Sequence, residues 1–156
     1  MDGQDFLRIV NESFTPFLGK IGFLMDRPSI SGRSYRASFT GRKNSVWVSF
    51  EPGDGILVVY VFSLENGELS EIDDRLKTPR LADLNHRYMS SVTNQERSAN
   101  EAVFQQVLVK DNHERALLKA AKDLRLVLPK YIESQSSTLG NHPKPANDNH
   151  LKTGQR

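Results

Sequence analysis

The segment Ile56-Leu57-Val58-Val59-Tyr60-Val61-Phe62 decides the fold, because it is the longest uninterrupted apolar run in the chain. Its β-branched and aromatic residues favour a strand, and it is far shorter than the roughly 20 residues that a membrane-spanning helix needs. Both faces of this strand are apolar, so an edge position would leave it prone to aggregation. We therefore expect it to be covered by another strand, by helices, or by a second copy of the chain in a homodimer sealed along 56–64.

Two segments before this run predict its partner strands. Apolar and polar residues alternate in 35–40 and again in 45–50, which is the period of a strand with one buried face. Residues 41–44 and 52–55 are rich in Gly, Asn and Asp, which tolerate the backbone angles of tight turns. The sequence therefore predicts an antiparallel meander of three strands, or of four if 23–25 adds a short one.

A helix is predicted before the strands. Apolar residues recur at three- and four-residue steps from Phe6 to Ile21, with Asp2 or Asp5 available to cap the start. Pro16 lies within this pattern and should kink the helix or restart it, with Thr15 as the new cap.

Three further helices are predicted after the strands. Thr78-Pro79 fits a cap followed by proline, and Ser98 with Glu101 fits a capping box. Asp111-Asn112 can break and recap the chain before a last helix that should weaken after Pro129. Together these patterns predict helices that close the core from the carboxy-terminal side.

The predicted organisation is a single α+β domain over residues 4–132. An antiparallel sheet of three to four strands packs against the first helix and the carboxy-terminal helices. From Glu133 onward, Ser, Asn, Pro, Gly and His dominate the sequence. Such a segment buries too little apolar surface to offset the entropy of ordering, so we expect a disordered tail at 133–156.

Composition restricts the function. The chain contains no cysteine, which excludes disulfides, thiolate metal sites and cysteine nucleophiles. The beginning, Met1 to Asp5, is acidic and polar and does not resemble a signal peptide. We therefore expect a cytoplasmic protein with no membrane contact. The net charge of +2 favours neither nucleic acid nor acidic lipid.

Catalytic motifs are scarce. His86 follows Asp83 by three residues, which could begin a metal site or a general-base pair, but this spacing is common on solvated helices. We find neither a nucleophile elbow nor a phosphate-binding loop. The sequence therefore predicts no catalytic residue, no metal site and no cofactor.

Charged residues are segregated along the chain, and this suggests binding. One acidic set, with an exposed Trp47 as an aromatic anchor, could contact another protein: Glu65, Glu68, Glu71, Asp73 and Asp74. One basic set, within 33–43, could instead bind nucleic acid: Arg33, Arg36, Arg42 and Lys43. A third interpretation is that the two sets pair with each other inside the fold, where exposed ion pairs contribute little.

The order of elements also carries a resemblance. A helix ends in Phe17-Leu18-Gly19-Lys20-Ile21-Gly22-Phe23, a short meander follows, and helices open at Pro79-Arg80-Leu81-Ala82-Asp83-Leu84. Over about residues 5–132 this layout resembles small uncharacterised bacterial α+β proteins of the immunity-protein type, which bind and neutralise a toxin. Secretion chaperones have a similar order of elements. The resemblance implies a non-enzymatic protein-binding module whose partner is another protein.

Overall fold

Three long strands form the middle of a curled antiparallel sheet: β3 (Tyr35–Thr40), β4 (Asn44–Glu51) and β5 (Ile56–Glu65). The computed structural model describes residues 1–139 of the chain. The positions and the antiparallel pairing of β3, β4 and β5 confirm the predicted meander, and with the helices they confirm the α+β class.

Three two-residue strands extend the sheet: β1 (Leu24–Met25), β2 (Ser29–Ile30) and β6 (Glu68–Leu69). The order is β1-β3-β4-β5-β6, and β2 also pairs with β3. The predicted count of three to four strands is therefore too low. Two residues are too few to show an alternating pattern, so such strands cannot be recognised by their periodicity.

The first helical region is split as expected, into α1 (Gly3–Ser13) and α2 (Thr15–Lys20). The side chain of Asp2 accepts a hydrogen bond from the N–H of Asp5 at 2.8 Å, which confirms the predicted cap. The prediction that Thr15 caps α2 is wrong, because Thr15 is already helical and the fully buried Phe14 precedes it.

Three helices follow the strands: α3 (Leu81–Tyr88), α4 (Asn94–Val103) and α5 (Asn112–Leu139), with a 3-10 turn at Met89–Ser91. The predicted start at Ser98 is wrong. The capping box is made by Thr93 and Glu96, whose side chains each accept the other's backbone N–H, so Ser98 lies inside α4. The predicted cap at Asp111 is confirmed, since its carboxylate accepts the N–H of Glu114 at 2.8 Å.

Thr78-Pro79 does not begin a helix. The carbonyl of Pro79 accepts the N–H of Val61 at 2.9 Å, which holds this dipeptide in an extended conformation beside β5. Helix α3 begins two residues later, at Leu81, and the carboxylate of Asp83 accepts the N–H of Arg80 at its start.

Helix α5 is longer than predicted. It passes through Pro129, which is exposed, and continues to Leu139, so residues 133–139, expected to belong to the tail, are helical. The buried ring of Tyr131 and the amide of Gln135, which donates to the hydroxyl of Ser63 at 3.3 Å, attach this part of the helix to the domain. The rest of the predicted tail, 140–156, lies outside the described residues.

The core lies between the inner face of the sheet and the helices. Phenylalanine and aliphatic side chains supply it, which is the typical composition of a buried core. Its largest fully buried apolar members are Phe6, Phe14, Phe39, Phe50, Ile9, Leu18, Leu84, Leu117, Leu124 and Leu128.

An ion pair between the partly exposed Arg8 and the buried Glu114 joins α1 to α5. Glu114 is fully buried, its carboxylate accepts the N–H of Lys110, and it lies 3.3 Å from the guanidinium of Arg8. A second guanidinium nitrogen of Arg8 donates to the carbonyl of Leu108 at 3.0 Å. These contacts of Arg8 with the start of α5 and with the segment before it attach α1 to α5.

Candidate functional site

Residues 1–139 contain no group of three or more His, Asp and Glu side chains placed to hold a metal ion. His86 is exposed on α3, while Asp83 is engaged as a helix cap and lies 3.9 Å from Arg75. The pair noted in the sequence is therefore part of a helix surface. None of the helices in this part of the chain combines the length and the apolar character needed to span a membrane.

The predicted acidic residues lie in one segment, residues 65–77, which we call the acidic loop. It contains the turn from β5 into β6 and the excursion that leads to α3. Glu65, Glu68, Glu71 and Asp73 are exposed, and Asp74 is half-buried. Three large apolar side chains are exposed among these acids: Leu69 at 43%, Ile72 at 44% and Leu76 at 82%.

The base of the acidic loop is fixed by hydrogen bonds. The hydroxyls of Ser70 and Thr78 lie 2.6 Å apart, and Ser70 also donates to the carbonyl of Lys77 at 3.1 Å. The carboxylate of Asp74 accepts the N–H of Leu76 at 3.1 Å, in the manner of an Asx turn. The loop therefore presents its apolar side chains from a closed base.

One acid of the set has a partner inside the fold. Glu65 lies 2.7 Å from the ammonium of Lys77, and this hydrogen bond and charge raise the pKa of Lys77 above its ordinary value. Both side chains are exposed, so the pair is worth little energetically. Glu68, Glu71 and Asp73 have no ion pair within the described part of the chain and remain available to a partner.

Trp47 lies on the outer face of the sheet and is half-buried, so the prediction that it is exposed is wrong. The guanidinium of Arg36 lies 4.3 Å from its ring, and the ring of Phe62 lies 4.7 Å away on the neighbouring strand. Tyr60 is paired directly opposite on β5. Stacking of arginine and aromatic rings covers the outer face where a simple alternation pattern predicts solvent.

The predicted basic residues do not converge. Arg33 lies before β3, while Arg42 and Lys43 lie after it, and a six-residue strand separates them by about 20 Å. All three are exposed, and they form no ion pair with the acidic set among residues 1–139. The interpretation that the two charged sets neutralise each other within the fold is therefore wrong for the residues described.

A groove beside β5 was not anticipated from the sequence, and we call it the edge groove. Its volume is about 400 Å³, and it lies between the beginning of β5, the start of α3 and the middle of α5. The lining residues are Leu57, Val58, Val59, Arg80, Leu81, Ala82, Asn85, Ala116, Lys119, Ala120 and Asp123. This volume and the mainly apolar lining lie within the range of ligand-binding clefts.

The alternating direction of the backbone N–H groups along β5 shows that residues 56–59 form a free edge. The N–H groups of Val61 and Ser63 donate away from β4, to the carbonyls of Pro79 and Lys77, whereas Leu64 donates toward β4, to Lys43. Peptide groups alternate along a strand, and the β4–β5 register is unbroken from 44↔63 to 51↔56. The N–H groups of Leu57 and Val59 therefore also point away from β4, and no partner for either occurs within residues 1–139.

The sequence contained a signal for this groove. The apolar run 56–62 predicts cover by another strand, by helices or by a second copy, but it does not predict that the cover is partial. The segment 77–80 covers the edge from Tyr60 to Ser63, and β6 pairs with Leu64 and Glu65. Only the beginning of β5, residues 56–59, is left open, so a homodimer sealed along all of 56–64 would have to displace these segments.

No protein-family model, no curated protein and no solved structure matches this chain. The resemblance to immunity proteins therefore stays a prediction.

Proposed function

We propose that this chain is a non-enzymatic module that binds another protein through the acidic loop, as an immunity protein, antitoxin or chaperone does. The observation that carries the proposal is the exposure of Leu69, Ile72 and Leu76 among acids on a loop with a fixed base. Exposed apolar side chains rimmed by charge are typical of protein interaction sites. The proposal places the chain in the cytoplasm, a reducing compartment where proteins rarely form disulfides, and the chain contains no cysteine.

The proposed mechanism combines anchoring and steering. Leu76, the most exposed large apolar side chain of the loop, loses contact with water when it enters a pocket of the partner. Glu68, Glu71 and Asp73 attract a basic partner surface and raise the rate of association. Trp47 lies on the outer face that leads toward the loop and contributes at the rim through its exposed part.

A photo-cross-linking amino acid placed at position 76 tests the proposal. In a lysate of the source organism we expect one dominant cross-linked protein, because the side chain at 76 contacts the partner. The matched control is the exposed Gln105, beyond the end of α4, where no cross-link is expected. Equal labelling from both positions, or none from position 76, contradicts the proposal.

The captured partner allows a quantitative test. The double substitution Glu71→Lys and Asp73→Lys should weaken binding by roughly tenfold and reduce its dependence on salt, because both carboxylates are exposed and would face basic groups. Isothermal titration calorimetry at two salt concentrations measures both effects. An unchanged affinity would show that these acids do not attract the partner.

Nucleic-acid binding is the second candidate, favoured by one observation. Arg33, Arg36, Arg42 and Lys43 form no ion pair within residues 1–139, and Arg36 stacks on the Trp47 ring as it would beside a base. Fluorescence anisotropy with a labelled single strand of about 20 nucleotides tests it at low salt. Binding that falls steeply with salt supports this candidate, and no binding at low salt removes it.

A further inference from the structure

We propose that the edge groove binds an extended segment of another protein, which adds to the open end of β5 as an extra strand. The segment carries apolar side chains at alternate positions and an acidic side chain between them. This inference rests on the proposal that the chain binds protein, but it assigns a site separate from the acidic loop and a defined chemistry for its occupant.

The free backbone groups of β5 supply the first argument. The N–H groups of Leu57 and Val59 point into the groove and have no partner in the described part of the chain. Backbone groups next to an apolar cleft are costly to leave without partners once water is excluded. An extended segment supplies the missing carbonyls at the spacing that this strand requires.

The chain itself pairs with the same edge in this way. Residues 77–80 run along β5, with hydrogen bonds from Ser63 to Lys77 at 2.8 Å and from Val61 to Pro79 at 2.9 Å. This pairing ends at Arg80, opposite Tyr60, because α3 begins there and the chain turns away from the edge. The edge groove is the space that α3 leaves, so an incoming strand would continue an existing ladder over about four residues, or roughly 13 Å.

The side chains of the groove select for alternating residues. Its floor includes Leu57, Leu81 and Ala120 on the core side, and the small Ala82 and Ala116 leave room between the helices. In an added strand, every second side chain would point toward this floor. Apolar residues at alternate positions therefore fit the groove.

Charge selects for an acid between them. Arg80 lines the groove, its guanidinium lies 5.6 Å from the centre of the Tyr60 ring on the outer face, and it has no ion pair among residues 1–139. The carboxylate of Asp123 on the opposite wall is already held by Lys119 at 2.8 Å and by the amide of Asn85 at 3.2 Å. Arg80 is therefore the cation of the groove that has no ion-pair partner among residues 1–139, and a partner's carboxylate can pair with it.

A second copy of this chain fits the groove less well than an extended peptide. Only residues 56–59 of β5 are open, because the segment 77–80 occupies the edge from Tyr60 onward. A four-residue pairing buries far less than the ~1,200 Å² of a stable protein interface. An isolated peptide segment needs no such area.

The test uses the full chain and a phage-displayed library of random decapeptides. We expect selected peptides to alternate apolar residues with at least one acid. Addition of a selected peptide should slow hydrogen exchange at the N–H groups of Leu57 and Val59 by roughly tenfold or more. The N–H of Val58, which points toward β4, is the internal control and should not change.

Two substitutions that fill the groove complete the test. Ala82 and Ala116 are both exposed helix residues, so Ala82→Trp and Ala116→Trp should fold normally and weaken peptide binding by roughly tenfold or more. Ala102→Trp, on an exposed position of α4, is the matched control and should bind as the parent does.

Four outcomes would overturn the proposal. They are failure to select any peptide, binding that survives both groove substitutions, peptides without the alternating pattern, and protection of the Leu57 and Val59 amides in the free chain. The last would show that residues 140–156 or a second copy already fill the groove. Each of these leaves the cross-linking result at position 76 unaffected, so failure here is distinguishable from failure of the acidic-loop proposal.

Discussion

The two edges of the sheet are covered to different extents. At the β3 edge, β1 pairs with Phe39 and Thr40, β2 pairs with Tyr35 and Arg36, and the carbonyl of Ser38 between them accepts the N–H of Asp26 at 2.9 Å. At the β5 edge, the chain covers residues 60–65 and leaves 56–59 open.

The difference shows how an edge is closed when it has no binding role. The carboxylate of Asp26 accepts hydrogen bonds from the hydroxyls of Thr40 at 2.7 Å and Ser38 at 3.3 Å, which adds a charged cover to the β3 edge. Native proteins commonly protect edges with short strands and charges. The open part of β5 instead adjoins an apolar groove, which is the reason to assign a binding role there.

The largest expected effect compares core and edge residues. Phe39, on β3, is 1% exposed and Ile56, on the open part of β5, is 49% exposed. Phe39→Ala should lower the free energy of unfolding by about 3–5 kcal/mol, because it leaves a cavity in the core. Ile56→Ala should lower it by at most about 1 kcal/mol. Urea denaturation followed by circular dichroism measures both, and equal losses would mean that position 56 is buried by an unseen contact.

The next effect concerns the helical layer that supports both edges. Glu114→Ala removes a fully buried carboxylate that accepts the N–H of Lys110 and pairs with the partly exposed Arg8, and it should lower the free energy of unfolding by about 1–3 kcal/mol. Glu133→Ala, at an exposed position of the same helix, is the control and should have almost no effect. In Glu114→Ala, hydrogen exchange should still be faster at the open residues 56–59 of β5 than at the covered residues 60–65, because this difference arises from local pairing. Loss of this difference in exchange would show that the open edge depends on the contact between α1 and α5.

A smaller effect is expected at the segment that covers β5. Ser70→Ala removes the hydrogen bonds to Thr78 and Lys77 and should cost about 1 kcal/mol, since the buried hydroxyl of Thr78 loses its partner. Hydrogen exchange at Val61 and Ser63 should become faster, because their acceptors lie in this segment. Ser90→Ala is an exposed control. Unchanged exchange at both amides would show that the cover does not depend on the loop base.

The smallest effect is acid sensitivity of the helices. A hydrogen bond from the N–H of Thr93 lowers the pKa of Glu96 below its ordinary value of 4.5. A hydrogen bond from the N–H of Glu114 lowers the pKa of Asp111 below its ordinary value of 3.8. Because these pKa values are lower in the folded state, the stability they supply is present above the ordinary values and is lost as pH falls through the folded ones. Asp111→Asn should make the loss of stability at acidic pH less steep. An unchanged slope in denaturation at several pH values would contradict this.

The long strands were predictable because alternation over six or more residues is a strong pattern. Residues 35–40 present a polar residue at every second position, and 45–50 do so except at Trp47; the structure buries Ala37, Phe39, Val46, Val48 and Phe50 on the other face. The restart of the first helix at Pro16 was predictable for a similar reason, since proline lacks the N–H that a helix interior requires.

Tertiary contacts decided what local patterns could not. Thr78-Pro79 has the sequence of a helix start, but hydrogen bonds to β5 make it extended. Helix α5 continues past 132 because Tyr131 and Gln135 find partners in the domain, and composition alone does not reveal such partners. Of the candidate site, the exposed acids were read from the sequence, whereas Leu76 and the edge groove depend on how the loop and α3 leave β5.

Hydrogen exchange of the free chain, read residue by residue along β5, tests the central claim most directly. We expect rapid exchange at Leu57 and Val59 and slow exchange at Val61 and Ser63, although all four N–H groups point to the same side of the strand. Uniform protection at these four positions would contradict it, because the beginning of β5 would then be covered and could accept no partner.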